Sequence, residues 1–299
     1  MFSVATLWIP FTVIAAGGQV ARNAMQRQLT GPLGTWGATN VRFLFGFPFA
    51  IVFFAIALTS SGDPFPVPPA AFWPWLIVGA LCQILATGLM LLAMNESSFV
   101  VTTAYLKTEA LQTAIFGFLF LGDHLTSVKV VAILIATAGV VITALRLSGR
   151  ASFAEVRPTV TGLVAAAAFA LSAVGFRGAI LNVPGVSFVT AASYTLVLGL
   201  FLQTLALTLY LVWRAPAVLS KILSLWRPSL FAGFVGAFAS QFWFLAFALT
   251  AAANVRTLAL VEVLFAQAVA YYSFKQPILL RELVGIVLIV IGVALLVAL

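Results

Sequence analysis

The chain has 299 residues, of which 63% are hydrophobic and 7% charged, and its mean hydropathy is +1.17. Soluble domains carry about 25% charged residues, so this composition excludes both an ordinary water-soluble protein and an intrinsically disordered one. The net charge of +8 does not indicate a nucleic-acid-binding protein, because the fifteen lysines and arginines stand singly between apolar runs.

Apolar runs long enough to cross a bilayer as helices follow one another along the whole chain. Ten are predicted, at 4–28, 35–59, 71–93, 98–121, 127–146, 159–182, 187–212, 228–249, 254–274 and 281–299. Turn-forming sequences separate them, and the longest polar linker, RLSGRASFAEVRP, covers 146–158. The sequence therefore predicts an all-α integral membrane protein with ten transmembrane helices.

The second half of the chain repeats the first at an offset of 153 residues, which carries Glu109 onto Glu262. The same offset aligns four further pairs of small residues: Gly139 with Gly292, Ala132 with Gly285, Gly46 with Gly199 and Ala93 with Ala246. This pattern predicts a five-helix repeat at 1–147, a linker at 148–158 and a second repeat at 159–299. Because five is odd, the second repeat enters the membrane from the opposite side, which predicts inverted repeats around a central cavity.

Three charged residues, Glu109, Glu262 and Lys107, lie about midway along predicted membrane helices, and a fourth, Arg42, lies in the first third of the predicted helix 35–59. Each costs about 2.5–3.5 kcal/mol at a helix centre unless it is paired or hydrated. Lys107 and Glu109 are two residues apart and face different sides of one helix, so they cannot pair with each other. Three interpretations stay open: a structural ion pair between the repeats, a hydrated substrate cavity, and a proton-carrying carboxylate.

Polar and aromatic residues share one face of predicted helix 4, where Tyr105, Glu109 and Gln112 follow helical spacing. Such a face is typical of a cavity that accepts substrate, and it adds Tyr105 to the candidates. Further polar or amphipathic residues lie away from the predicted helix ends and are candidate binding residues: Gln83, Gln241, Trp243, Asn40 and Tyr194. Helix–helix hydrogen bonding or packing is the competing explanation for each of them.

Motifs for nucleotide binding, metal binding or catalysis are missing from the sequence. It has one histidine, His124, and one cysteine, Cys82, and no Walker A, GxGxxG or HExxH pattern. The scattered serines and threonines have no base beside them. We therefore expect no enzyme activity, no catalytic residues, no metal site and no cofactor.

The basic residues are distributed unevenly between the two ends of the predicted helices. Ten of them lie at the breaks after helices 1, 3, 5, 7 and 9, while Lys129 and Arg256 lie at the opposite end. By the positive-inside rule the richer end is cytoplasmic, which predicts that both termini are outside.

Several local sequences resemble a known transporter family. The turn after predicted helix 4 reads LGDHLT at 121–126, the run GVVITAL follows at 139–145, and Arg42–Phe43 form a basic–aromatic pair. With the five-helix repeat and the acidic residue in helix 4, they resemble the drug/metabolite transporter superfamily, EamA type. In the second repeat Lys275-Gln276-Pro277 stands where the turn motif should recur.

The resemblance implies ten helices in two inverted repeats and secondary transport of small metabolites, with termini in the cytoplasm, against the charge distribution. Among bacterial members the chain looks most like amino-acid exporters. We therefore expect an exporter in the plasma (bacterial inner) membrane, with amino acids as substrate and the bilayer and protons as partners, and no nucleic acid. A drug or other metabolite exporter and a passive channel are the alternatives.

Overall fold

The computed structural model describes residues 4–96, 102, 105–124, 126–144, 156–264 and 280–298. Regular structure in these ranges is helical throughout. The α-helices are α1 Trp8–Leu44, α2 Phe47–Ser61, α3 Phe72–Glu96, α4 Glu109–Phe116, α5 Ser127–Ala144, α6 Val156–Leu181, α7 Phe188–Arg214, α8 Pro216–Ser224, α9 Trp226–Leu249, α10 Ala252–Leu258 and α11 Leu280–Val297. Short 3₁₀ turns at Val4–Thr6 and Ala259–Val261 and a π-helical turn at Gly117–Leu121 complete the set.

Six stretches of the described residues are long and apolar enough to cross a membrane. The first is a 54-residue stretch, Trp8–Ser61, which covers residues 8–28 of the predicted helix 4–28 and all of the predicted helix 35–59. Gly34, with φ of +69°, interrupts the helical backbone between them, a conformation that glycine adopts without steric cost. A turn at Phe45–Gly46 then separates α1 from α2.

Some predicted boundaries near the middle and end of the chain fall outside the described residues, so only part of them can be compared with the structure. Most of the predicted linker 148–158 lies outside the described residues, as does the Lys275-Gln276-Pro277 sequence. Residues 156–158 of that linker are the first turn of α6, where Pro158 is tolerated because the first amides of a helix have no partner within it. Parts of the predicted helices 98–121 and 254–274 are also outside the described ranges.

One segment predicted as a plain break, WRAPAVLSKILSLWRP at 213–228, contains the nine-residue helix α8. Pro216 occupies its first turn, where proline favours helix initiation. Ile222 is buried while Leu223 is exposed, and Lys221 stands in the last turn. A short amphipathic helix with tryptophans on both sides is typical of the membrane–water interface.

The long helices pack as α1 with α9, α3 with α6, α2 with α7 and α5 with α11. Small residues allow the backbones to approach closely at these contacts. A Cβ atom on Gly175 of α6 would lie 2.7 Å from the amide nitrogen of Gly79 in α3. A Cβ on Gly139 of α5 would lie 2.6 Å from the carbonyl oxygen of Gly285 in α11. The short helices α4, which begins at Glu109, and α10, which contains Arg256, contact each other; α4 also packs on α6, and α10 also packs on α1.

Candidate functional site

Two ion pairs connect the two halves of the chain at the centre of the protein. Lys107 donates a hydrogen bond to Oε1 of Glu262. The Nε atom of Arg256 lies 2.8 Å from Oε1 of Glu109. Each pair joins the segment around α4 to the segment around α10, so the acid of each half is neutralised by a cation of the other half. All four side chains are largely buried.

The helical backbone is irregular next to both acids. In the first half, residues 107–108 form a turn immediately before Glu109, the first residue of α4. In the second half, the 3₁₀ turn Ala259–Val261 immediately precedes Glu262. The offset of the sequence repeat places these two interruptions at equivalent positions. Broken helices within membrane proteins occur where the backbone is buried in protein or lines a cavity.

A narrow cavity lies beside the ion pairs and is lined by Lys107, Glu109 and Glu262 together with Gln19 and Arg22. The two carboxylates that the sequence repeat singles out therefore line the same space. Its width accommodates water-sized occupants.

A second narrow cavity adjoins the first, because Gln19, Arg22 and Phe169 line both. Its remaining lining residues are Arg42, Gln83, Ser172, Ala173, Phe176, Ser240, Trp243, Phe244, Phe247 and Arg256. The Arg256 guanidinium lies 4.4 Å from the Trp243 ring centroid, a favourable cation–π distance. This cavity therefore combines three guanidinium groups with aromatic walls.

Arg22 and Arg42 differ from the other buried cations because their contacts are neutral. Arg42 donates through Nη1 to the Thr87 hydroxyl at 3.1 Å. Arg22 donates through Nη2 to the Asn23 side-chain oxygen at 3.0 Å. Within the described ranges no carboxylate oxygen lies within 4.0 Å of either guanidinium. Both arginines are 2% exposed.

Polar contacts close one end of the helix assembly. Asp63, after α2, accepts hydrogen bonds from the amide and hydroxyl of Ser187, the N-cap of α7, at 2.9 and 2.6 Å. The hydrogen bonds from the side chains of Ser187 and Thr190 hold the pKa of Asp63 well below its ordinary value. At the same end Arg177 lies 3.6 Å from Asp123 and donates to the Phe247 carbonyl at 2.6 Å.

The structure brings six of the ten sequence-predicted candidates to the two cavities. These six are Glu109, Glu262, Lys107, Arg42, Gln83 and Trp243. Of these, Gln83 also accepts a hydrogen bond from Gln203 at 2.8 Å.

The other four candidates line neither cavity and contact neighbouring helices. Tyr105 accepts a hydrogen bond from Thr159, Gln241 donates to Ser193, and Asn40 donates to Thr208. Tyr194 packs against Phe54, Phe65 and Phe72.

The sequence interpretation missed two arginines of the site. Arg22 lies inside the predicted helix 4–28, but it was grouped with the surface charges that set orientation. Arg256 lies two residues into the predicted helix 254–274 and was assigned to a helix end. Both arginines lie inside a predicted membrane helix, and that position alone marks them as candidate buried charges. Their partners could not be predicted, because pairing depends on which helices meet.

No set of three or more His, Cys, Asp or Glu side chains with metal-binding geometry occurs in the part of the chain that the structure describes. Glu262 and Glu109 are instead paired with Lys107 and Arg256. The arrangement can exchange ion-pair partners, bind charged groups in the cavity and stack ligands on aromatic rings.

Comparison with known proteins agrees with this architecture. A crystal structure of a protein matches this chain with a TM-score of 0.68 at 16% sequence identity, covering 97% of this chain and 95% of that chain. At this identity the likeness establishes the fold alone. No curated protein sequence matches the chain. Residues 6–145 match the model of the EamA-like transporter family, which confirms the resemblance drawn from the sequence. In this segment the chain is similar to the EamA-like transporters, and the described residues contain six apolar helical stretches long enough to cross a membrane.

Proposed function

We propose that the protein is a secondary transporter that exports small metabolites, amino acids first among them, by alternating access of two inverted five-helix repeats. The observation that carries the proposal is the pair of crossed ion pairs at equivalent helix interruptions beside one cavity. Inverted-repeat transporters place substrate sites near the midplane, where discontinuous helices of the two repeats meet.

The helix contacts support an inverted repeat. The 153-residue offset places α1 on α6 and α3 on α9, so it converts the α1–α9 contact into the α6–α3 contact. The α5–α11 contact is reciprocal in the same way, because Gly139 approaches Gly285 while Gly292 approaches Ala132. A two-fold relation between the halves accounts for all of these contacts at once.

The ion pairs lie between the two halves of the chain, which would move against each other during alternating access. Each pair connects the first half to the second, so a movement that separates the two segments would break the pair between them. A carboxylate released in this way can bind water, a proton or an ammonium group of the substrate. Protons are therefore the coupling ion that we propose, with Glu109 and Glu262 as the groups that accept them.

The mixture of charges favours substrates that carry both signs. Carboxylates and guanidinium groups line adjoining cavities, so in a state that opens this region one solute would present an ammonium group to an acid and a carboxylate to an arginine. Amino acids have this chemistry. A broad-specificity exporter is the second candidate, since Phe169, Phe176, Phe244 and Trp243 offer aromatic walls to apolar compounds.

Reconstitution into liposomes tests both the class and the substrate. Saturable uptake and counterflow of labelled amino acids, accelerated by a pH gradient, is the expected result. Glu109→Gln and Glu262→Gln should lower the rate, with Glu96→Gln as the matched control, because Glu96 pairs with the exposed Arg157. Current without saturation would indicate a channel, and export of aromatic dyes without amino acids would indicate the second candidate.

The orientation that we propose follows the charge distribution, with both termini outside a bacterial plasma membrane. A C-terminal alkaline phosphatase fusion should then be active and a C-terminal fluorescent protein dark. The opposite pattern would establish cytoplasmic termini, as the family resemblance implies.

A further inference from the structure

The two cavities contain more positive than negative charge. Their lining includes four cations, Arg22, Arg42, Lys107 and Arg256, but only two carboxylates. Both carboxylates are engaged, because Glu262 binds Lys107 and Glu109 binds Arg256. In the described part of the protein, Arg22 and Arg42 have no carboxylate oxygen within 4.0 Å; Arg22 shares the first cavity with Glu109, which is already paired with Arg256.

These two charges are neighbours. A Cβ atom on Gly236 of α9 would lie 3.4 Å from Cγ of Arg42 and 3.5 Å from Cδ of Arg22, so both side chains cross the same glycine. A guanidinium does not lose its proton in a protein, so the repulsion between them persists at every working pH. Placing two cations side by side in a buried site is unfavourable unless an anion joins them.

Other groups around the second cavity offer hydrogen bonds to such an anion. The Nε atom of Arg42 and the indole nitrogen of Trp243 are buried donors without a hydrogen-bond partner among the described residues. The hydroxyl of Ser172 also has no partner there. Each of these residues lines the second cavity. Guanidinium and indole nitrogens only donate, so the ligand that satisfies them must present acceptor atoms.

We infer that the transported solute is a small organic dianion, whose two negative charges are bound by Arg22 and Arg42. The inference rests on the proposed transport function and specifies the substrate class. Among amino acids it selects those with acidic side chains, whose two carboxylates face the arginines. Other dicarboxylates share the same chemistry and are separate arms of the test.

The experiment compares nearly isosteric solutes in proteoliposomes. Glutamate is set against glutamine and aspartate against asparagine, with succinate and lysine as further arms. Replacing a carboxylate by an amide removes a charge-assisted hydrogen bond, so we expect the acidic member of each pair to be transported at least about tenfold faster. Lysine should not be transported.

Substitutions of Arg22 and Arg42 test whether these two arginines cause the preference for the acidic solute over its amide. Arg22→Gln and Arg42→Gln should each lower kcat/KM for the acidic solute by at least about tenfold and reduce the preference over the amide. Arg157→Gln is the matched control, since its side chain is 83% exposed. Because a variant can lose transport by misfolding, the rise in Tm on adding glutamate or succinate is measured in detergent. We expect this rise for the parent protein and for Arg157→Gln, and none for Arg42→Gln.

The outcomes separate the inference from the function on which it rests. Equal transport of glutamate and glutamine, or unchanged preference in both arginine variants, would overturn the dianion site while leaving the exporter intact. Transport of succinate without any amino acid would support the site and overturn amino-acid export. Saturable transport of none of these solutes would overturn both.

Discussion

The two adjoining cavities handle buried charge in different ways. In one arrangement, Lys107 with Glu262 and Arg256 with Glu109 neutralise one another across the two halves of the chain. In the other, Arg22, which lines both cavities, and Arg42, which lines the second, donate hydrogen bonds to the neutral groups Asn23 and Thr87. The first arrangement is electrically complete and contributes to holding the halves together. The second carries surplus charge and is suited to binding a ligand of opposite sign. Removing an ion-paired residue should therefore lower stability as well as transport, whereas removing Arg22 or Arg42 should lower transport without lowering stability.

The largest loss of stability is expected for Glu109→Gln. It leaves the Arg256 guanidinium buried without its carboxylate, and an arginine cannot escape by losing its proton. Breaking a buried pair from one side costs about 3–5 kcal/mol. The unfolding free energy or Tm of the detergent-solubilised protein measures the effect. The control Glu96→Gln breaks a pair with an exposed arginine and should cost about 0–1 kcal/mol. Equal losses would contradict a structural role for the buried pair.

The Lys107–Glu262 pair should show strong coupling in a double-mutant cycle. Lys107→Met and Glu262→Met should each destabilise the protein, because each leaves the opposite charge buried. The double variant should regain most of that loss, since well-packed apolar residues can replace a buried pair at little net cost. Thermal unfolding of the four proteins gives the coupling energy. Additive losses would mean that the two side chains do not depend on each other.

Unlike the ion-pair variants, Arg42→Gln should not destabilise the protein. Its Tm should equal or exceed that of the parent protein. The substitution removes a buried charge that has no carboxylate among the described residues, and it relieves repulsion with Arg22. Transport should nevertheless fall. Thermal unfolding and uptake are measured on the same preparation. A marked loss of stability would show that Arg42 supports the fold and would remove the contrast between the two cavities.

The smallest effect is expected at Asp63, outside the helices. Its pKa is depressed by the hydrogen bonds from Ser187 and Thr190, so its contribution to stability is present above the unfolded pKa of about 3.9 and decreases as the pH falls toward the folded value. Asp63→Asn should therefore lower Tm slightly at pH 7, and the difference should shrink at pH 3. A difference that does not change with pH would exclude the carboxylate charge as its cause.

Much of the fold was readable from the chain because a bilayer imposes a simple rule on length and hydropathy. The run at 71–93 predicted α3, and the run at 187–212 predicted α7, within a few residues. The helix α8 was missed because nine residues are too few to register as a membrane span. Turn residues such as Pro216 mark both a break and the start of a short helix, so composition could not separate the two.

The site was readable only in part. Buried charge is costly in lipid, so the acids Glu109 and Glu262 and the cations Lys107 and Arg42 stood out from their position alone. Gln241, Asn40 and Tyr194 looked equally suitable, yet they contact neighbouring helices instead of the cavities. A sequence shows how far a residue lies from the ends of a predicted membrane helix. It does not show the direction in which the side chain points within the helix bundle.

The sequence by itself indicated the membrane setting, the succession of apolar helices and the presence of buried acids, because each depends on residue type and spacing; it also suggested the internal repeat that we propose. Tertiary structure decided which charges meet. Lys107 binds Glu262 and Arg256 binds Glu109 only because the interrupted segments at α4 and α10 cross each other. The tertiary structure also brings the side chains of Arg22 and Arg42 close to the same residue, Gly236. An ion pair requires its two charges to lie within a few ångströms, yet the paired residues are up to 155 positions apart in the chain. A local sequence pattern therefore cannot show which charges pair.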